Sequence, residues 1–205
     1  MSQNARETES RTAPAEGVGR RAQARSGRHR LAELLTPVFC EHGYEGASLA
    51  RLSAAAGLKK ASLYHHYPDG KRDMARHVLA HAGARLNTLV LLPLDDGGPA
   101  QDRIIRSIEG ARTYYGGDVP VCLMNTLMMG EGRALFAPAI RATVAAWIRA
   151  LTGALVDVGR PAERAPEEAR RVLERVQGAL VLCRVEGSRR PLDDTLDDLK
   201  RLISR

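Results

Sequence analysis

The sequence predicts an all-α protein, and three observations carry that prediction. Apolar residues recur at three- and four-residue spacing in one segment after another. Aromatic residues are only 4% of the 205 residues, so a core must be assembled from Leu, Val, Ala and Ile, a composition that favours helices. Between Gly46 and Lys71 two short helical segments flank a tight glycine turn, the arrangement of a helix-turn-helix.

Length and charge set the outer bounds. A chain of this length suits one or two small domains with a real core. The net charge is +7 and the pI about 9.8, which suits a polyanionic partner. Residues 1–82 hold 13 Lys/Arg against 8 Asp/Glu, and residues 83–205 hold 18 against 16. The excess therefore sits with the helix-turn-helix. Cys40, Cys122 and Cys183 are too few and too scattered for a disulfide framework or a zinc pattern. No apolar run reaches 18 residues and the N-terminus lacks an apolar signal region, so a cytoplasmic protein without a membrane partner is expected.

Residues 1–27 are rich in Ser, Ala, Gly, Arg and Gln and read as a disordered basic tail. Arg20, Arg21, Arg25, Arg28 and Arg30 lead into the first helix, either as an arm for phosphates or a minor groove, or as a solvated leader. Helix one spans about Arg28–His42, with Leu31, Leu34, Leu35, Val38 and Phe39 on one stripe. Pro37 removes a helical hydrogen bond, so this helix either kinks there or starts anew with Thr36 as cap. Ser48 caps the next helix, Gly57 ends it in a left-handed conformation, and Leu58 drops between the two motif helices. The second motif helix runs from about Lys60 to Tyr67, with Leu63 as its buried anchor and Pro68 as its stop. Lys60, Ser62, Tyr64, His65 and His66 crowd into two turns, a set of donors and flat rings that suits phosphates and base edges.

A helix follows from Lys71 to about Leu91. His77 and His81 lie one turn apart on it, but no further ligand follows at a telling offset, so no metal site is expected. Pro93–Pro99 is a loop, and Gln101–Tyr115 is helical. Cys122–Met129 is apolar and Met-rich, readable as a buried helix or as the lining of an adaptable ligand site. A long helix runs from Phe136 or Pro138 to Val158. Two more span Pro166–Gly187 and Leu192–Ser204. With no metal-ligand cluster, phosphate-cradling loop or nucleophile motif along the sequence, the chain reads as no enzyme and implies no cofactor.

Residues 28–83 resemble the DNA-binding domain of the TetR/AcrR family of transcriptional regulators. The resemblance rests on Phe39, Gly43-Tyr44, Ser48-Leu49, Leu52, Ala55-Ala56-Gly57-Leu58, Lys60, Leu63-Tyr64-His65-His66-Tyr67 and Lys71. The Pro68-Asp69-Gly70-Lys71 step is similar to the LmrA/YxaF-like branch. The resemblance implies an N-terminal three-helix helix-turn-helix DNA-binding domain (28–83) and a C-terminal helical ligand-binding and dimerisation domain (84–205). By family position, Lys60, Ala61, Ser62 and His65 meet base edges, and Ser48, Tyr64, His66 and Lys71 clamp phosphates. Lys59 adds charge near the backbone where the family often has a cap, and Arg51 reaches a phosphate or flanking base. The implied partners are double-stranded DNA bearing a palindrome, a second copy of the chain through the last two helices, and a small effector. An apolar or aromatic effector is expected, with Met124, Met128, Phe136, Trp147 and Leu151 as its lining. A repressor released by ligand is the leading expectation; a ligand-independent or activating DNA-binding regulator is the alternative.

Overall fold

A computed structural model describes the backbone of residues 15–203 and the side chains of residues 27–203. Among these residues there are ten α-helices, one π-helical segment and no strand. The first helix, α1 (Ala15–Gly46), begins earlier than expected, so residues 15–27 of the anticipated tail are helical. Arg, Ala and Gln are good helix formers, and adding turns to an existing helix avoids the cost of a new nucleus. Residues 1–14 of that tail lie outside the described residues.

Pro37 does not restart α1. The helix continues through it, and the break falls at Gly43, whose φ of 65° and ψ of −170° only glycine adopts readily. Thr36 does not cap; its hydroxyl donates back to the Ala32 carbonyl at 2.7 Å.

The motif helices α2 (Leu49–Ala56) and α3 (Lys60–His66) pack with α1 and α4 (Lys71–Leu86) around Leu35, Phe39, Leu52, Leu63, Tyr67, Met74 and Val78, all fully buried. Beyond Leu86 the chain stays helical but widens into a π-helical segment, Asn87–Leu91, before the short α5 (Leu92–Asp95). Pro93 explains the widening. It has no N–H for the Leu89 carbonyl and its ring crowds that oxygen. The Leu92 N–H instead reaches back to Asn87. The loosened Leu89 carbonyl lies against Gly110, where an added Cβ would sit 1.6 Å from its oxygen.

The remaining helices are α6 (Ala100–Tyr114), α7 (Leu123–Leu127), α8 (Gly130–Asp157), α9 (Ala165–Glu186) and α10 (Arg190–Ile203). Expected to start at Phe136 or Pro138, α8 instead begins at Gly130 and carries Pro138 inside. Its start is set from outside: the Glu45 carboxylate, on α1, accepts a hydrogen bond from the Glu131 N–H. By length and composition alone α8 is long and apolar enough to cross a bilayer. Here it packs against α9 and α6, with Phe136, Ile140, Trp147, Leu151 and Leu155 buried. Arg112 of α6 ties down α10 through Asp193 at 2.6 Å and Asp197 at 2.5 Å.

Candidate nucleic-acid interface and ligand cavity

The helix-turn-helix is built from local rules. Ser48 Oγ accepts from the Arg51 N–H at 3.3 Å, fixing the start of α2. Gly57, at φ 63° and ψ 25°, closes α2, and its N–H reaches Ala54 at 3.2 Å. Leu58 is half-buried against the core. At the start of α3, Lys59 makes no side-chain cap bond, which leaves its ammonium in solvent.

Leu63 has no exposed surface and pins α3 from beneath. Lys60, Ala61, Tyr64 and His65 are exposed, and their spacing places them on one side of α3. Ser62 and His66 are half-buried at its edges, as is Ser48, while Arg51 and Lys59 are exposed. Neither motif helix contains a carboxylate, so the exposed strip is uniformly neutral or cationic. Gly70 shapes the exit of the motif. It has φ 65°, and a Cβ there would lie 3.2 Å from the Tyr64 ring. Lys71 is more committed than the other residues of the set. Its Nζ donates to the Glu45 carbonyl at 3.3 Å and stands 4.5 Å from the Tyr44 ring centre.

A second concavity, of about 300 Å³, lies between α6, α8, α9 and α10. Ile104, Ile108, Trp147, Leu151, Leu155 and Val176 make an apolar interior. Ser107 faces it, but its hydroxyl already donates to the Val90 carbonyl at 2.8 Å. Arg160, Arg171 and Arg175 stand in the wall with one acid, Glu168. Their ion pairs, with Glu168 at 3.6 Å, Glu167 at 3.2 Å and Asp198 at 3.5 Å, are solvent-facing and weak. Of the expected ligand residues, Trp147 and Leu151 line this cavity. Met124 and Phe136 are buried elsewhere, and Met128 is half-buried. Packing of α7 and of the first turns of α8 against α1 explains this: Phe136 of α8 meets Tyr44 of α1 edge-on at 5.4 Å, so these residues join the helix-turn-helix to the helical bundle. Sequence reasoning missed the arginines and the contribution of α10, because the stripe Leu196–Leu199 carries no mark separating cavity wall from dimer face.

Residues 37–78 match the family described as "Bacterial regulatory proteins, tetR family", and residues 112–197 match "Transcriptional regulator LmrA/YxaF-like, C-terminal domain". Together the two segments span more than half of the chain. The chain belongs to the TetR family. This TetR-family regulator is 19% identical over 169 residues to the uncharacterized HTH-type transcriptional regulator YxaF of Bacillus subtilis, covering 80% of this chain and 88% of that one. Its fold is shared with a TetR transcriptional regulator from Chloroflexus aurantiacus at a TM-score of 0.72 and 21% identity, over 90% of this chain and 97% of the other. AibR, solved in complex with isovaleryl coenzyme A and operator DNA, is similar at a TM-score of 0.54 and 20% identity, over 74% and 86% of the two chains.

The TetR-family protein is a transcriptional regulator and not an enzyme. Burial pushes the Cys40 thiol up to about 12 and also raises those of Cys122 and Cys183, so all three are held protonated.

Proposed function

We propose that this regulator is a cytoplasmic homodimeric repressor that binds a palindromic operator and is released by a small ligand. Residues 28–83 act as the DNA-reading unit and residues 84–205 as the sensing and dimerising unit. The observation that carries the proposal is the exposed strip of α3, Lys60, Ala61, Tyr64 and His65, held rigid by Leu63 and free of acids. Lys60, Ala61, Ser62 and His65 meet base edges; Ser48, Arg51, Lys59, Tyr64 and His66 position the backbone. Lys71 contributes mainly by holding Glu45 and Tyr44.

One such head reads a short half-site, so affinity calls for a second, related by twofold symmetry. The last two helices suit that pairing. On α9, Val181, Leu182 and Val185 are 56%, 50% and 76% exposed, an apolar strip at helical spacing.

The cavity favours a ligand with an apolar acyl or aromatic body against Trp147 and Leu151 and an anionic end at the arginine side. The ligand complex of AibR, an acyl thioester bearing phosphates, is of the same chemical type. Ligand binding lowers operator affinity by a coupling energy of about 1–3 kcal/mol. The test is a footprint of the protein on fragments upstream of its own and neighbouring genes. A protected palindrome, weakened by Lys60→Ala by about 1–3 kcal/mol, is the expected result. Uniform, sequence-independent protection at low salt refutes the operator reading.

A further inference from the structure

We propose that His29, Glu33 and His81 form a binding site for a divalent transition-metal ion that staples α1 to α4. His29 and Glu33 are four residues apart on α1 and share one face. His81 approaches from α4, and one ligand atom from each of the three lies within 4.8 Å of the others. The two imidazoles are already edge to face, with ring centres 4.3 Å apart. Four ligands around zinc at about 2.1 Å would stand about 3.4 Å apart, so closing on an ion needs only side-chain adjustment.

An independent observation points to a missing partner. His81 is 7% exposed, and its Nδ1 is buried without a hydrogen-bond partner among the described residues. Buried polar atoms are rarely left so, and each one calls for an explanation such as an ion or a water. A cavity of about 250 Å³ opens beside the cluster, with Glu33, His81, Arg85 and Tyr114 in its wall, and provides a route of entry. Arg85 is the nearby cation, and its guanidinium is drawn 5.8 Å from the Tyr114 ring centre. His77, the other histidine on α4, is engaged elsewhere: its Nε2 lies 3.0 Å from the Arg28 carbonyl.

Two imidazoles and one carboxylate select a borderline ion such as zinc, cobalt or nickel over calcium or magnesium, which prefer all-oxygen sites. Three protein ligands leave a coordination position for water on the exposed side of His29 and Glu33. The ion would fix the spacing of α1 and α4, between which Arg28 covers the Tyr67 ring at 5.0 Å and pairs with Asp73 at 3.6 Å. Occupancy therefore stiffens the frame on which α3 rests.

The experiment titrates metal-free full-length protein with cobalt(II), followed by its visible ligand-field bands, and repeats the titration with zinc followed by thermal unfolding. One ion per chain, cobalt bands without thiolate charge transfer, and a zinc-induced rise in melting temperature are expected. His29→Asn and Glu33→Gln, both at exposed positions, should weaken binding by about tenfold or more and abolish the thermal shift while folding normally. His81→Asn should do the same if it folds; the two exposed variants decide the matter if it does not. His42→Asn, remote from the cluster, should bind as the parent does. Failure to bind either ion below millimolar concentration, or unchanged binding in His29→Asn and Glu33→Gln, overturns the proposal.

Discussion

Replacing Gly110 by alanine tests whether the π-helical segment and α6 are locked together by a contact of backbone on backbone. The new Cβ would lie 1.6 Å from the Leu89 oxygen and 2.6 Å from the Leu89 carbonyl carbon, where ordinary contact starts at 3.4 Å. Relief requires the two backbones to part by about 1.8 Å, and no rotamer change substitutes for it. Such a shift breaks the Ser107–Val90 hydrogen bond, 2.8 Å long and buried, which costs about 1–3 kcal/mol. Overpacking strain adds about 1–3 kcal/mol. The better helix propensity of alanine returns about 1 kcal/mol. The net expectation is a loss of about 1–5 kcal/mol, read from urea unfolding of parent and variant. Gly83→Ala is the control, since a Cβ there meets nothing within 4 Å. It should stabilise by up to about 1 kcal/mol. A Gly110→Ala midpoint within about 0.5 kcal/mol of the parent would refute the contact and the account of the π segment built on Pro93.

Three further outcomes are expected. Val185→Glu places a charge in the apolar strip of α9, so sedimentation should show monomers if the parent forms the proposed homodimer through that strip; a variant that dimerises as the parent does removes α9 from the interface. The Arg189 hydrogen bond, then the charges of Arg189 and Arg112, hold the Asp193 carboxyl below its ordinary range. A depressed folded-state pKa adds stability above the unfolded value, about 3.9, and that stability is lost as pH falls through the folded value. Asp193→Asn should therefore lower stability at neutral pH and flatten the acid limb of the stability curve, and parallel curves for the two proteins would count against it. Glu45→Ala deletes the acceptor for the Glu131 N–H and should cost about 0.5–2 kcal/mol of stability. It should also shrink the effect of ligand on operator affinity, measured by anisotropy with and without ligand; an unchanged ratio would exclude Glu45 from the coupling.

The reading head was legible in the sequence because its determinants are local. Ser48 caps, Gly57 turns, Leu63 anchors and Pro68 stops within a stretch of about twenty residues, so the signals that shape the two motif helices sit next to one another in sequence. Tertiary effects were not legible. Pro37 is carried inside α1 because the packed helix on both sides outweighs one lost hydrogen bond, and α8 starts early because Glu45, 86 residues away, caps it. The cavity was half legible. Trp147 and Leu151 stood out as large apolar residues on a long helix, but Met124 and Phe136 have the same chemistry and pack under α1. No sequence period separates those outcomes. His29, Glu33 and His81 were invisible for a related reason. His29 and His81 are distant in sequence and meet only because α1 and α4 pack side by side, in antiparallel directions.

The same helices that enclose the cavity also hold the reading head, and this is what makes a sensing role physically economical. At its far end α8 presents Trp147, Leu151 and Leu155 to the cavity, and at its near end it is capped by Glu45. The Glu45 carbonyl in turn receives Lys71, the first residue of α4. In parallel, α9 lines the cavity with Val172 and Val176, and its Arg184 donates to the Cys40 carbonyl of α1 at 2.9 Å. A packed helix transmits displacement along its axis better than it bends. A ligand that pushes α8 and α9 apart therefore pulls at Glu45 and Cys40 together, and both lie on α1. The helix-turn-helix would move as one body, with its internal core around Leu63 intact, which in the proposed homodimer changes the distance between the two DNA-binding units without unfolding either. An operator with two half-sites measures that distance directly, so a small movement at the cavity becomes a large change in binding only when two copies act together.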